Sequence, residues 1–185
     1  MAVPATLMTL EEFLAWENEQ PDRNEFHRGE VFAMVGARRA HGRVVSNLTR
    51  HFGNLLDGTP CQVFAEGMKV QIGTDTILYP DIFVTFDKAD LATEMIFRAP
   101  TLVLEVLSPT TQAYDRSQKF ALYRRVESLQ EFVLVDPDTR RIEVFRRGAD
   151  GLWDLHDQSD DESLVAASIG CTVRMIDVFA GIDAA

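Results

Sequence analysis

The chain has 185 residues, 46% of them apolar and 25% charged, with 12 Phe. That is the size of one globular domain with the side chains to fill a core, which excludes a two-enzyme fusion and a globally disordered chain. The net charge of −11, from 18 basic and 29 acidic residues, argues at first against a nucleic-acid binder with a basic footprint; yet eight acidic residues and one basic residue lie from Gly148 onward, leaving only −4 on the first 147 positions.

Thr9-Leu10-Glu11-Glu12 has the form of a capping box, and Leu10, Phe13 and Leu14 follow at helical spacing, so a short amphipathic helix is predicted over about 10–19. Residues 25–35 read as two short strands around Arg28-Gly29. From Ala40 to Leu56, Val44, Val45, Leu48, Phe52, Leu55 and Leu56 recur on one face. Arg43, Asn47, Arg50 and Asn54 line another, and Asp57-Gly58 ends this helix. Three strands are predicted next: 61–72 with an interruption near Gly67, 77–86, and 101–107 between Pro100 and Pro109. A helix over about 112–126 and a strand over 131–135 complete a strand–helix–strand unit, which implies a right-handed parallel crossover. Segments 141–147, 151–156 and 171–175 read as added antiparallel strands.

The order helix, three strands, helix, strand predicts a mixed α/β fold, a mixed sheet flanked by helices. A single domain over 1–185 is expected, with its core over about 40–137 and a C-terminal strand extension over about 138–185. Cys61 and Cys171 lie far apart and match no metal-ligand spacing, so both read as reduced thiols. No run of eighteen uncharged apolar residues and no secretion signal is visible, so a cytoplasmic protein without membrane contact is expected. The pairs Arg38/Arg39, Arg124/Arg125, Arg140/Arg141 and Arg146/Arg147 permit phosphate contact.

Two carboxylates stand where carboxylates are costly. Leu102-Val103-Leu104-Glu105-Val106-Leu107 is apolar on both faces except at Glu105, and Asp81 stands in the run Ile77-Leu78-Tyr79-Pro80-Asp81-Ile82-Phe83-Val84. Burying either charge unpaired costs several kcal/mol, and the cost rises if the two are neighbours, unless a hard cation lies between them. Taken singly, an Asp after Pro fits a turn and a buried Glu fits a salt bridge; taken together they fit a metal site better. Lys119 is one of only three lysines beside 15 arginines. Lysine, unlike arginine, can serve as a compact point charge beside an attacking water. It lies roughly 10 Å down its predicted helix, and Glu105 roughly 7 Å back from its strand end, so both reach similar depth. A solvated pair with Asp115 at i, i+4 is the competing reading.

Tyr79-Pro80-Asp81, then Leu104-Glu105-Val106-Leu107-Ser108-Pro109, then Asp115, Lys119 and Tyr123, and finally Val135-Asp136-Pro137 together resemble the Uma-type (Uma-two) family of restriction endonucleases. That family belongs to the PD-(D/E)XK nuclease superfamily, and the likeness runs over nearly the whole chain. It implies a restriction endonuclease-like core and a Mg²⁺-dependent endonuclease acting on DNA, with Mn²⁺ as substitute. It also implies Asp81 and Glu105 as metal ligands, with the Val106 carbonyl as a further one. The lysine expected two places after the glutamate is replaced by Leu107, so the resemblance passes the role of catalytic lysine to Lys119.

Chemically the set suits phosphodiester hydrolysis, with metal-activated water and an ammonium against developing negative charge. Glu30 and Asp115 are accessory candidates, for a second metal or for orienting Lys119. His41 at a helix start could meet phosphate, and Arg43 and Arg50 could follow a nucleic-acid backbone, although capping, core and solvated roles compete. Two other functions remain open: a catalytically idle nucleic-acid or protein binding module of the same fold, and a metal-dependent phosphoesterase for small nucleotides. A homodimer is a reasonable expectation for duplex cleavage.

Overall fold

The structure is a computed structural model that describes residues 7–34, 36–109 and 112–182. Thr9 caps helix α1 (Leu10–Glu17) in the manner its sequence predicts: the Glu12 amide donates to Thr9 Oγ1 (3.2 Å) and the Thr9 amide donates to Glu12 Oε2 (2.7 Å). Strands β1 (Asn24–His27) and β2 (Glu30–Ala33) pair antiparallel around a two-residue loop. Arg28 and Gly29 there both have positive φ (50° and 92°), the conformation that matches the twist of paired strands in the tightest hairpins. Helix α2 (Arg39–Leu56) buries Val44, Val45, Leu48, Phe52 and Leu56 along one stripe.

The next four strands depart from expectation. The two predicted strands 61–72 and 77–86 each break and change sheet, giving β3 (Gln62–Ala65), β4 (Lys69–Ile72), β5 (Thr76–Leu78) and β6 (Ile82–Thr85). They form one long hairpin bent in the middle, with β4 pairing β5 at its tip and β3 pairing β6 at its base. The bend has a cause on each arm. Glu66 and Gly67 take left-handed φ of 39° and 84°, and Pro80 has no N–H to continue a ladder. The Glu66 amide donates to the Asp81 carbonyl (3.0 Å), tying the two arms together at the corner.

Beyond the bend follow β7 (Ile96–Phe97), β8 (Leu102–Val106) and a helical segment 112–123. That segment comprises α3 (Gln112–Tyr114), a π-turn over Asp115–Lys119, and α4 (Phe120–Tyr123). It ends three residues short of the predicted 126. Then come β9 (Glu131–Asp136), β10 (Arg141–Arg147), β11 (Trp153–Asp157), β12 (Ser163–Ala166), β13 (Cys171–Arg174) and α5 (Met175–Val178).

The base of the bent hairpin joins a six-stranded sheet of order β11-β10-β9-β8-β6-β3, and its tip joins a five-stranded sheet of order β2-β1-β5-β4-β7. Within the larger sheet β8 and β9 run parallel and the remaining neighbours antiparallel. This is the mixed α/β architecture that the element order predicts. Of the added C-terminal strands, β10 and β11 extend the large sheet, while β12 and β13 form a separate two-stranded ribbon.

Alternation along each strand divides the core between the two faces of the large sheet. Ile82, Val84, Leu102, Leu104 and Val106 pack with α2, the β12–β13 ribbon and α5. Phe83, Val103 and Leu107 face Leu122, Tyr123 and the five-stranded sheet. Phe13 of α1 stacks on Phe26 (centroids 4.8 Å apart) and covers Ile77 and Tyr79. Among the described residues no helix is long and apolar enough to cross a membrane.

Candidate active site

Asp81 lies at the corner of the bent hairpin, on the first residue after Pro80. In the β6–β8 ladder Ile82 opposes Leu104, so one further step along the same register sets Asp81 opposite Glu105. Glu105 projects from the face that carries Val103, toward the helical segment, where Lys119 and Tyr123 meet it. Asp81 Oδ2 accepts the Val106 amide (2.7 Å) and pairs with His41 Nε2 (3.1 Å) from the first turn of α2. Val106 thus meets Asp81 through its amide.

Glu105 is 2% exposed, and its Oε1 accepts from Lys119 Nζ and from the Tyr123 hydroxyl, both at 3.3 Å. Lys119 is not a solvated partner of Asp115 alone. It is 7% exposed, and its Nζ also lies 3.0 Å from Glu25 Oε1 and 3.7 Å from Asp115 Oδ1. Glu25 Oε1 accepts the Tyr79 amide as well (3.2 Å), which fixes the carboxylate against the corner. The π-turn places Asp115 and Lys119 side by side and inward on the same short segment; π-turns are concentrated at functional positions in helices.

The electrostatics follow from one buried ammonium among several carboxylates. Burial, the largest influence, drives the Glu105 carboxyl well above the usual range; Lys119 opposes this, and Asp81, Asp115 and Glu25 add to it. Burial alone would lower the Lys119 ammonium, yet Glu105, Glu25, Asp115 and Asp81 outweigh it and hold the group protonated far above neutral pH. His41 is pulled down by burial, but its hydrogen bond and attraction to Asp81 prevail and raise it. Tyr114 is pushed up to about 12, chiefly by burial, and remains a neutral phenol. These groups line one open cleft of about 800 Å³.

Among the described residues no three His, Cys, Asp or Glu side chains converge as a metal cage. Mg²⁺ rarely uses such a cage: it is typically held by one or two carboxylates, keeping waters and binding substrate phosphates. Two carboxylates at the floor of an open cleft, with the nearest imidazole, His41, already engaged by Asp81 Oδ2, therefore fit a hard divalent ion better than a soft one.

Of the residues singled out in the sequence, Asp81, Glu105, Val106, Asp115, Lys119 and His41 line this cleft together. Three others are elsewhere. Glu30 is exposed at the loop end of the edge strand β2, opposite His27, and does not line the cleft. Arg43 donates to the Ala180 carbonyl (3.3 Å), and Arg50 acts on Asp177. The face of α2 that carries Arg43 is covered by the C-terminal segment, where Asn47 is buried and donates to the Val178 and Ala180 carbonyls. Arg43 is thereby engaged with the C-terminal segment, while Arg50 stays exposed on α2, away from the cleft. The sequence reading missed Glu25, since period-2 alternation beside Phe26 predicts only that Glu25 faces away from Phe26, and nothing local reveals that the helical segment covers that side.

Residues 10–174 match the family described as “Uma2: Putative restriction endonuclease”. Two relatives from Synechocystis sp. carry the names “Uncharacterized protein slr1290” and “Uncharacterized protein sll1609”. The first is 33% identical over 98% of this chain and 96% of its own length, and the second 30% identical over 83% and 89%. The fold is shared with the crystal structure of “a putative nuclease belonging to DUF820” from Anabaena variabilis, which is 21% identical and superposes with a TM-score of 0.76 over 94% of this chain and 98% of that one. The family match over almost the whole fold, together with the two full-length relatives, makes this chain a member of the Uma2 family.

Proposed function

We propose that the chain is a divalent-metal-dependent nuclease that hydrolyses phosphodiester bonds in DNA. The observation that carries this reading is the juxtaposition of Asp81, just before β6 and hydrogen-bonded to the Val106 amide, with Glu105 on the adjacent strand β8 and the Lys119 ammonium 3.3 Å from Glu105, at the floor of an open cleft. Family membership supports the nuclease class. Asp81 and Glu105, with the Val106 carbonyl beside them, would hold Mg²⁺ or Mn²⁺. When bound, such an ion supplies Lewis-acid polarisation of a phosphoryl oxygen and a more acidic water.

The chain's own residues do the remainder. The Lys119 ammonium, held in its charged form by the surrounding carboxylates and clamped by Glu25 and Asp115, presents a positive charge where negative charge accumulates as the P–O bond breaks. His41 and the Val106 amide hold one oxygen of Asp81 and so set the direction of the other. Tyr123 does the same for Glu105.

Thermal unfolding in Mg²⁺ or Mn²⁺, run beside plasmid cleavage, tests the reading. A ligand that binds only the folded chain raises the melting temperature, by about 2.7 kcal/mol of added stability at a hundredfold excess over Kd. Asp81→Asn is expected to remove both that increment and cleavage. A metal-induced rise that persists in Asp81→Asn would place the ion elsewhere. No rise and no cleavage of plasmid or of single-stranded DNA by the natural chain would favour an idle binding module, and hydrolysis of free nucleotides but of neither form of DNA would favour a small-molecule phosphoesterase.

A further inference from the structure

The wall of the cleft differs in chemistry from its floor. Phe32 on the open edge strand β2 and Met34 just past its end, 38% and 39% exposed, line the same cleft as Asp81 and Glu105. Phe32 also neighbours Tyr114, with ring centroids 6.4 Å apart and planes inclined at 34°. In the β1–β2 ladder Phe32 directly opposes Glu25, and directly opposed residues carry their side chains on the same face with Cβ atoms about 5 Å apart. An exposed aromatic ring is thus fixed one strand away from the carboxylate that clamps Lys119. What sets this ring apart is its place: its uncovered part faces the cleft, where a ligand can reach it.

The charge of the lining narrows the ligand. Three Arg and Lys residues stand against six Asp and Glu residues around the cleft, a poor match for the two phosphate tracks of a duplex. A duplex also keeps its base faces stacked inside, where Phe32 could not touch them. A single strand offers neutral π-faces that an exposed aromatic can hold by stacking, a contact that itself involves no phosphate charge. The cleft's volume of about 800 Å³ is within the usual range of small-molecule sites.

We propose that Phe32, flanked by Met34 and Tyr114, is a stacking platform for an unpaired nucleobase, so that the strand taken into the cleft is single-stranded nucleic acid. The proposal rests on the nuclease reading for the chemistry at the cleft floor, and the base contact can be measured without that chemistry.

The test uses the full chain with Ca²⁺ in place of Mg²⁺ and short oligonucleotides carrying 2-aminopurine, as DNA and as RNA, single-stranded or annealed. A saturable fluorescence change is expected with a single strand, with binding at least about tenfold weaker for the annealed form. Phe32→Leu keeps an apolar side chain but no π-face, and should weaken single-strand binding by about tenfold or more; Phe32→Tyr should restore it. Preference for the DNA or the RNA strand identifies the source of the base, and binding of either supports the platform. Duplex binding as tight as single-strand binding, no binding of any strand, or unchanged binding by Phe32→Leu would overturn it. If Phe32-dependent binding is found but no strand is cut in Mg²⁺, the nuclease reading fails alone. If duplex plasmid is cut equally by Phe32→Leu and the natural chain while binding ignores Phe32, the platform fails alone.

Discussion

Lys119 carries the most information of any single side chain. Its ammonium is buried among Glu25, Glu105 and Asp115, so replacing it tests the site's electrostatics and not a surface pair. Lys119→Arg retains the charge, but a planar guanidinium cannot occupy the volume of a compact ammonium. The expected outcome is a fall in cleavage rate of about 10²-fold or more, the order seen on losing one preorganised electrostatic group. The metal-induced rise in melting temperature should persist, because lysine is not a ligand. Single-turnover cleavage and thermal unfolding of the variant check both halves, and cleavage within a few-fold of the natural chain would refute the role. The sequence made this residue visible through its rarity beside 15 arginines. Glu25, which holds Lys119 at 3.0 Å, was not visible, because the two lie on a strand and a helical turn far apart in the chain.

At the scale of elements, the tip of the bent hairpin is fastened by Asp75. Its carboxylate accepts from Arg125 Nη2 (2.6 Å) just beyond α4 and from Arg28 Nε (3.3 Å) in the β1–β2 loop, and the Thr76 hydroxyl donates to it at 3.0 Å. Slight burial pushes the Asp75 carboxyl up, but the Arg125, Thr76 and Arg28 hydrogen bonds outweigh it and hold the group below its ordinary range. A carboxyl with a depressed folded-state pKa lends stability above its unfolded pKa and loses it as pH falls through the folded value. Asp75→Asn should therefore destabilise at pH 7, by under about 1 kcal/mol for so exposed a cluster. The two proteins should converge in acid below the ordinary aspartate range. Urea midpoints at both pH values decide this; a difference that persists in acid would show that the contribution is packing and not charge. The hairpin itself shows where local reading ends. Gly67 was legible as an interruption and the break at Pro80 was not; that both arms change sheet there depends on which strands are available to pair, and strand preference is set largely by such context.

On the scale of the whole molecule, the chain's end closes the back of the large sheet. Val178 is fully buried and Phe179 only 6% exposed, and both belong to the core between α2 and the sheet. Asn47 and Arg43 hold the carbonyls of Val178 and Ala180. Removing the last ten residues is therefore not neutral. The milder Phe179→Ala should cost about 3 kcal/mol, the lower end for a buried aromatic, read as a shift in urea midpoint. The metal-induced stabilisation should survive in this variant, because Glu105 and Lys119 lie on the opposite face of the sheet; its loss would show that the two faces are coupled through the His41–Asp81 contact.

The capping box at Thr9, the Arg28-Gly29 loop, the apolar stripe of α2 and the mixed order of strands and helices were all determined by the sequence itself, since caps, turns and periodicity act between residues a few positions apart. So was the anomaly of Asp81 and Glu105, two charges set in runs whose neighbours demand burial. Only the tertiary structure decided what surrounds them. His41 meets Asp81 across 40 positions, Glu25 meets Lys119 from another sheet, Glu30 is left on an open edge, and Arg43 turns to the chain's end. The physical reason is that these partners are chosen by strand register and by packing one face of a sheet against a helix, and a register is fixed by the burial of the whole strand and not by any one residue on it.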